Sequence, residues 1–234
     1  MKYKEVVVIG MHRAGTSMIS GIIHRLGIVM GESMLGSVWS NPLGLYEDEE
    51  FVKINKKILN NVNSNWYNIP DRREISTVDS QIIEYVEDSI RKRKKHGSPW
   101  GWKDPRTTIT YPIYHEFLSN PYIIKCTRDV TNIAMSLKRK NDIPVRKGKI
   151  LAGKYFERME NTIPNQLPCK TVKYEEVLSN PEEEINDICD FLNISPDQKD
   201  LQKAVSFVKP KSYLRLMNWV KWFTNNIKKV YGSK

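Results

Sequence analysis

Four consecutive β-favouring apolar residues, Val6-Val7-Val8-Ile9, run straight into Gly10-Met11-His12-Arg13-Ala14-Gly15-Thr16-Ser17, and no other stretch restricts the fold as strongly. An unbroken apolar run of this length reads as a strand buried on both faces, the habit of parallel sheets. Gly10 and Gly15 bracket a tight loop, after which Met18, Ile19, Ile22, Ile23 and Leu26 recur at helical spacing. Strand, glycine loop and helix make an anion cradle, because backbone N–H groups and the positive helix end face one point.

The loop departs from a nucleoside-triphosphatase P-loop at the residue after the second glycine. That pattern places Lys there; this chain has Thr16, and its nearest cation, Arg13, lies inside the loop. The pattern favours a terminal phosphate ester held without Walker-type Mg²⁺ chemistry. A plain strand-to-helix turn is the alternative.

Further strands are predicted over 100–103, 122–126 and 170–173. Helices are predicted over 47–61, 77–95, 130–141 and 145–161, with two more opening at Asn180-Pro181 and Ser195-Pro196. Residues 63–76 read as polar turns. Residues 27–46, carrying Met30, Met34, Trp39 and Leu43, read as a long loop over a site. Alternating strands and helices predict an α/β protein, a three-layer α/β/α fold with a central mostly parallel sheet, P-loop NTPase-like. Ligands of such sheets bind at the carboxyl ends of the strands. The loops after Ile9, Lys103, Cys126 and Lys173 then share one rim. They bring Arg13, Thr16, Ser17, Lys103, Arg106, Arg128, Ser136 and Tyr174 together as a polyphosphate-type site.

This domain is expected to span residues 1–210, with residues 211–234 an appended amphipathic basic helix. Leu214, Met217, Val220, Trp222, Phe223, Ile227 and Tyr231 alternate there with Arg215, Lys221, Lys228 and Lys229. Docking on anionic lipid, packing on the domain's own core and contact with a second subunit all fit that pattern. A net charge of +10 suits a polyanionic cofactor, an acidic substrate, nucleic acid or an anionic membrane without choosing among them. The run Arg91-Lys92-Arg93-Lys94-Lys95 ends a helix, where cations complement the dipole. It reads as solvated surface ahead of a nucleic-acid contact. Cys126, Cys169 and Cys189 lack ligand or redox spacing and read as buried thiols of a reducing cytoplasm. The four histidines show no metal signature. No apolar run reaches membrane-spanning length, and the chain enters a strand at once, which leaves no signal peptide expected.

The ordered set of motifs over roughly residues 5–193 resembles the sulfotransferases that use 3′-phosphoadenosine 5′-phosphosulfate (PAPS), including bacterial carbohydrate sulfotransferases. The segment from Gly10 to Ser17 is similar to that family's 5′-phosphosulfate loop. On this resemblance His12, Arg13, Ala14, Gly15, Thr16 and Ser17 contact the donor, with Arg13 at the bridging oxygen. Arg128 and Ser136, eight residues apart, match the family's 3′-phosphate pair, although Val130 replaces the proline common after that arginine. Tyr174-Glu175-Glu176-Val177-Leu178, then Asn180-Pro181 and Phe191-Leu192, resemble its later signature, with Tyr174 near the adenine. Asn41-Pro42-Leu43-Gly44-Leu45-Tyr46-Glu47 and Lys103-Asp104-Pro105-Arg106 are similar to two further elements of bacterial members.

The resemblance implies a sulfuryl transfer from PAPS to a hydroxyl on a sugar or glycan, by in-line displacement, with no metal required and no nucleic-acid partner. Arg13 and the loop amides would stabilise the leaving phosphate, and Lys103 or Arg106 the sulfuryl oxygens. Glu47 is the preferred base, desolvated by Trp39, Leu43 and Tyr46. Its alternative role is that of a helix-start acid. Asp48, also a candidate acceptor contact alongside Arg106, and Glu32 are the next candidates for the base; His12 stays open. Lys103 has a simpler use in pairing with Asp104, and Tyr174 in core packing. A P-loop kinase or phosphohydrolase, and a non-catalytic basic module, are the competing functions.

Overall fold

The computed structural model describes residues 3–36 and 44–209. Its strands are β1 (Glu5–Gly10), β2 (Trp100–Lys103), β3 (Pro121–Thr127) and β4 (Cys169–Lys173). They form one sheet in the order β2-β1-β3-β4, with each neighbouring pair parallel. Since β1 is central and covered on both sides, all six of its residues are buried, which is why its apolar run is unbroken.

Successive side chains of a strand point to opposite faces, and the helices divide accordingly. Val6 and Val8, with Ile124, Cys126 and Val172, face α1 (Thr16–Arg25), α9 (Pro181–Leu192) and α10 (Gln198–Phe207). Val7 and Ile9, with Trp102 and Ile123, meet α2 (Glu49–Asn61), α4 (Ser80–Lys94), α5 (Thr107–His115), α6 (Val130–Asn141) and α7 (Val145–Thr162). The predicted α/β sandwich is therefore present, with a wholly parallel sheet. Each fully buried aliphatic side chain contributes about 1.5–3 kcal/mol relative to exposure. The short helices α3 (Arg72–Ile75) and α8 (Tyr174–Ser179) complete the described fold.

Several elements differ from the sequence reading. The stretch 63–76, expected as turns, contains the single-turn α3. The helix expected from residue 77 starts at Ser80, because the Asp79 carboxylate caps it by accepting from Gln81 N. The last described helix is capped by Asp197, not by Ser195. Helix α5 has no counterpart in the expectation: its threonines and Pro112 argue against a helix, and burial against β1, α2, α4 and α7 overrides that propensity. Cys169 is exposed, unlike Cys126 and Cys189.

The basic run at the end of α4 is not simply solvated. Arg93 is buried and binds the Asp48 carboxylate at 2.8 Å and Glu50 at 3.1 Å, while Lys94 donates to Phe117 O and Ser119 Oγ, both at 2.6 Å. Trp39, Leu43 and the proposed helix 211–234 lie outside the described residues. Among the described residues no helix is long and apolar enough to cross a membrane.

Candidate active site

The cradle at the end of β1 is held from three sides. Gly10 has φ 146°, and a Cβ there would stand 2.6 Å from the Cys126 carbonyl of β3. Its N–H donates to Thr108 Oγ1 at 2.9 Å, and the same hydroxyl donates back to Gly10 O at 3.2 Å, so α5 clamps the strand end. Ala14 N–H closes the turn onto Met11 O at 3.0 Å. Arg13 (φ 75°) and Gly15 (φ 98°) both adopt left-handed backbone, which aims successive amides into one hollow. For Arg13 this conformation costs on the order of 1 kcal/mol or more and persists only where the surroundings enforce it. Among the described residues the Gly15, Thr16 and Ser17 amides have no hydrogen-bond partner, and the first turn of α1 carries no acid. The hollow is built for an anion.

Lys103, at the carboxyl end of β2, is fully buried and reaches this hollow. Its Nζ donates to Ser17 Oγ at 3.2 Å and to Glu47 Oε1 at 2.7 Å. Burial pulls its pKa below the ordinary lysine value, with the Glu47 carboxylate pulling the other way. Its partner is thus Glu47 rather than Asp104. Glu47 is fixed through its backbone, whose carbonyl accepts from Leu35 N at 2.7 Å; its side chain retains 12% exposure. Tyr46 does not desolvate it. That ring turns away to pack on Phe207 (5.5 Å), and its hydroxyl accepts from Arg25 Nη1 at 2.8 Å.

A second cationic pocket adjoins the first. Arg128 follows β3 and is buried; its Nη1 donates to Arg13 O at 2.9 Å, whereas Nε and Nη2 are buried without hydrogen-bond partners. Its guanidinium lies 4.2 Å over the Tyr174 ring, and Glu175 stands 3.7 Å from its Nε. Ser136, one face of α6, accepts from Arg13 Nε at 2.9 Å. The Arg13 side chain therefore joins Arg128 and Ser136 instead of lying over the loop where the resemblance put it. Burial first, then the facing Arg128 and Arg139 charges, push the Arg13 guanidinium below its ordinary value. Two buried arginines, Arg13 and Arg128, held side by side are mutually unfavourable until an anion joins them.

Tyr174 ties the two pockets together. It is buried at the junction where β4 passes directly into α8, and a Cβ on Gly15 would stand 2.4 Å from its Cδ2.

His12 packs its ring on Trp66 at 4.6 Å, and its buried Nε2 has no partner. Burial, reinforced by Arg106, lowers its pKa to about 3, so the imidazole is neutral at physiological pH. Arg106 is committed to Asp104: its Nη1 donates to both carboxylate oxygens, at 2.8 and 3.0 Å, and its N–H to Oδ1 at 2.9 Å. Rather than standing free for an acceptor, it fixes the turn after β2.

Two expected residues fall outside the site. Asp48 is fully buried; it accepts from Glu32 N and Glu50 N and pairs with Arg93, so it caps α2 and cannot touch an acceptor. Glu32 pairs with Arg93 and His96 beyond the edge of β2. Supporting residues the sequence did not disclose are Thr108 and Asn55. The latter donates to Asp104 Oδ2 and Thr107 Oγ1, each at 3.0 Å. An asparagine on the apolar face of a predicted helix was the available signal.

An anion cradle ending the central strand of a parallel sheet, with a second cationic pocket beside it, defines an α/β protein of the P-loop-like type whose loop lacks the Walker lysine. Comparison with known proteins places it more closely. A model described as "Sulfotransferase family" matches residues 5–198, and the chain belongs to that family. Among solved structures it resembles the sulfotransferase domain from the Synechococcus PCC 7002 olefin synthase (TM-score 0.55, 13% identity, 92% of this chain and 84% of that one). It also resembles the sulfotransferase domain from the curacin biosynthetic pathway (0.55, 13%, 86% and 77%) and sulfotransferase STF1 from Mycobacterium tuberculosis H37Rv (0.51, 12%, 88% and 71%). At these identities the likeness is one of fold. No curated protein sequence matches the chain.

Proposed function

We propose that the protein transfers a sulfuryl group from PAPS to a hydroxyl of a sugar or glycan. The observation that carries this reading is the pair of buried N–H edges on Arg128 that lack a hydrogen-bond partner, on a residue joined through Arg13 to Ser136 beside a separate phosphate cradle. A nucleotide with anionic groups at both its 3′ and 5′ positions fits such a pair of pockets. A nucleoside triphosphate supplies nothing for the second.

In this reading the Gly15, Thr16 and Ser17 amides hold the 5′-phosphate, and Arg128, Arg13 and Ser136 hold the 3′-phosphate. Tyr174 backs both. Glu47 takes the acceptor hydroxyl proton as that oxygen attacks sulfur. The bond from sulfur to the bridging oxygen breaks, and the 5′-phosphate leaves with the negative charge. Lys103, held between Ser17 and Glu47, places a cation beside the base along the path of the sulfuryl group. Positioning and electrostatics carry such a transfer, and no step requires a divalent ion.

Calorimetric titration without metal tests this. Adenosine 3′,5′-bisphosphate (PAP) is expected to bind at least tenfold tighter than ADP or ATP. Equal affinities, or binding of ATP only with Mg²⁺, would favour the kinase reading and overturn this one. Radiolabelled sulfate donor with a panel of sugar acceptors then identifies the hydroxyl.

A further inference from the structure

Away from the cradle, a cavity of about 490 Å³ opens between α3 and α7. Four cations line it, Arg72, Arg73, Lys154 and Arg158, against two acids, Asp71 and Glu157. Among the described residues none of the four cations forms an ion pair. Arg158 donates through Nη2 to the Pro70 carbonyl, while its Nη1 is buried without a partner. Burial, then the facing Arg72 charge, hold its guanidinium below the ordinary arginine value. Unpaired cations around a hollow of this size are the complement of an anionic group, not of a neutral one.

One loop, residues 66–70, runs from the candidate active site to the cavity. At one end Trp66 packs on His12, and its carbonyl accepts from Tyr155 Oη at 2.8 Å. At the other, Pro70 is held by Arg158, three residues beyond Tyr155 and so about 4.5 Å further along α7. Tyr67, exposed and edge-on to the Trp66 ring at 5.3 Å, lies on the same loop and offers a face to a sugar ring.

We propose that this cavity is an acceptor subsite, taking a carboxylate, sulfate or phosphate substituent of the sugar whose hydroxyl reaches Glu47. The proposal rests on the sulfotransferase reading above. An acidic sugar is the class of acceptor selected.

Fluorescence anisotropy tests it with a labelled tetrasaccharide containing glucuronate and the same molecule with its carboxyls reduced. The wild-type protein is expected to bind the acidic probe at least tenfold tighter. The exposed pair Arg72→Ala/Lys154→Ala should abolish that preference. A control of equal charge change on α10, Lys199→Ala/Lys203→Ala, should retain it and thereby exclude a general effect of the basic surface. Equal or absent binding of the two probes, or a preference that survives Arg72→Ala/Lys154→Ala, overturns the subsite. So does displacement of the acidic probe by inorganic phosphate at equal concentration, which would mark a simple anion trap. PAP calorimetry on the same variants keeps the two readings apart: loss of PAP binding by the wild-type protein refutes the donor assignment, whereas the subsite is judged by the saccharides.

Discussion

Replacing Arg128 with Met separates ligand recognition from structural support. In the free protein the guanidinium is buried at 8% exposure, makes one hydrogen bond to Arg13 O, and leaves Nε and Nη2 unpartnered. Burial holds its pKa below the ordinary arginine value. A buried charge with such incomplete partners is a liability that a methionine of similar length removes, at the loss of one hydrogen bond worth about 1 kcal/mol, a cation–π contact with Tyr174 worth about 1 kcal/mol and the long pairing with Glu175. The unfolding free energy of the free variant is thus expected to match or exceed the wild-type value by up to about 2 kcal/mol. With PAP bound, the two vacant N–H groups each meet a phosphate oxygen in a charge-assisted bond worth about 1.5–3 kcal/mol. Affinity for PAP should then fall by about 3–5 kcal/mol, on the order of 10²–10³-fold or more, while affinity for ADP, which has no 3′-phosphate, stays within a few-fold. Urea unfolding of the free protein and calorimetry with both nucleotides supply the readouts. Equal losses for PAP and ADP, or a free variant destabilised by more than about 2 kcal/mol, would show that Arg128 props up the fold instead of gripping a ligand.

Four other substitutions probe the rest of the site. Glu47→Gln is expected to lower kcat for sulfuryl transfer by about 10²–10⁴ with PAP affinity unchanged; a kcat within threefold of wild type would remove Glu47 as the base. Lys103→Met leaves the Glu47 carboxylate without its cation and should cost about 3–5 kcal/mol of stability; adding Glu47→Gln should restore most of it without restoring activity. Gly15→Ala forces a side chain into left-handed backbone against the Tyr174 ring, so it should cost about 1–3 kcal/mol and weaken both PAP and ADP. His12 titrates near 3 when folded against 6.5 unfolded, so its contribution is complete above pH 6.5 and is lost as pH falls toward 3. The wild-type unfolding free energy should fall across that window by on the order of 5 kcal/mol more than that of His12→Gln; parallel curves would contradict the burial argument.

Much of this architecture was readable from local patterns. The strand Val6-Val7-Val8-Ile9 declares itself because central parallel strands must be apolar on both faces, and the glycine loop because its backbone angles exclude other residues at Gly15. Arg128 and Ser136 are placed on the strand-end rim by the alternation of strands and helices, and as a pair only by the family resemblance; Arg13 contacts both. What escaped depends on tertiary contacts. Helix α5 exists against the propensities of its threonines and Pro112, since its hydroxyls are satisfied by Asn55 and by the Gly10 backbone. Arg93 reads as one more surface cation until α2 brings Asp48 and Glu50 under it. The resemblance puts Arg13 at the bridging oxygen, whereas its side chain donates to Ser136 of α6, a contact that sequence spacing does not disclose. The acids were the hardest to rank, because Glu32, Glu47 and Asp48 share composition and neighbourhood and differ only in which cation claims each one.

Because β4 enters α8 with no intervening loop, the Tyr174 ring is wedged with one edge on Gly15 and its face under Arg128. Neither anchor can shift without displacing that wedge, so the protein carries a fixed caliper between its two jaws. On the proposed reading, selection among nucleotides becomes a matter of length. A molecule whose charged ends stand too near or too far apart is rejected by the spacing itself, before any base contact is made.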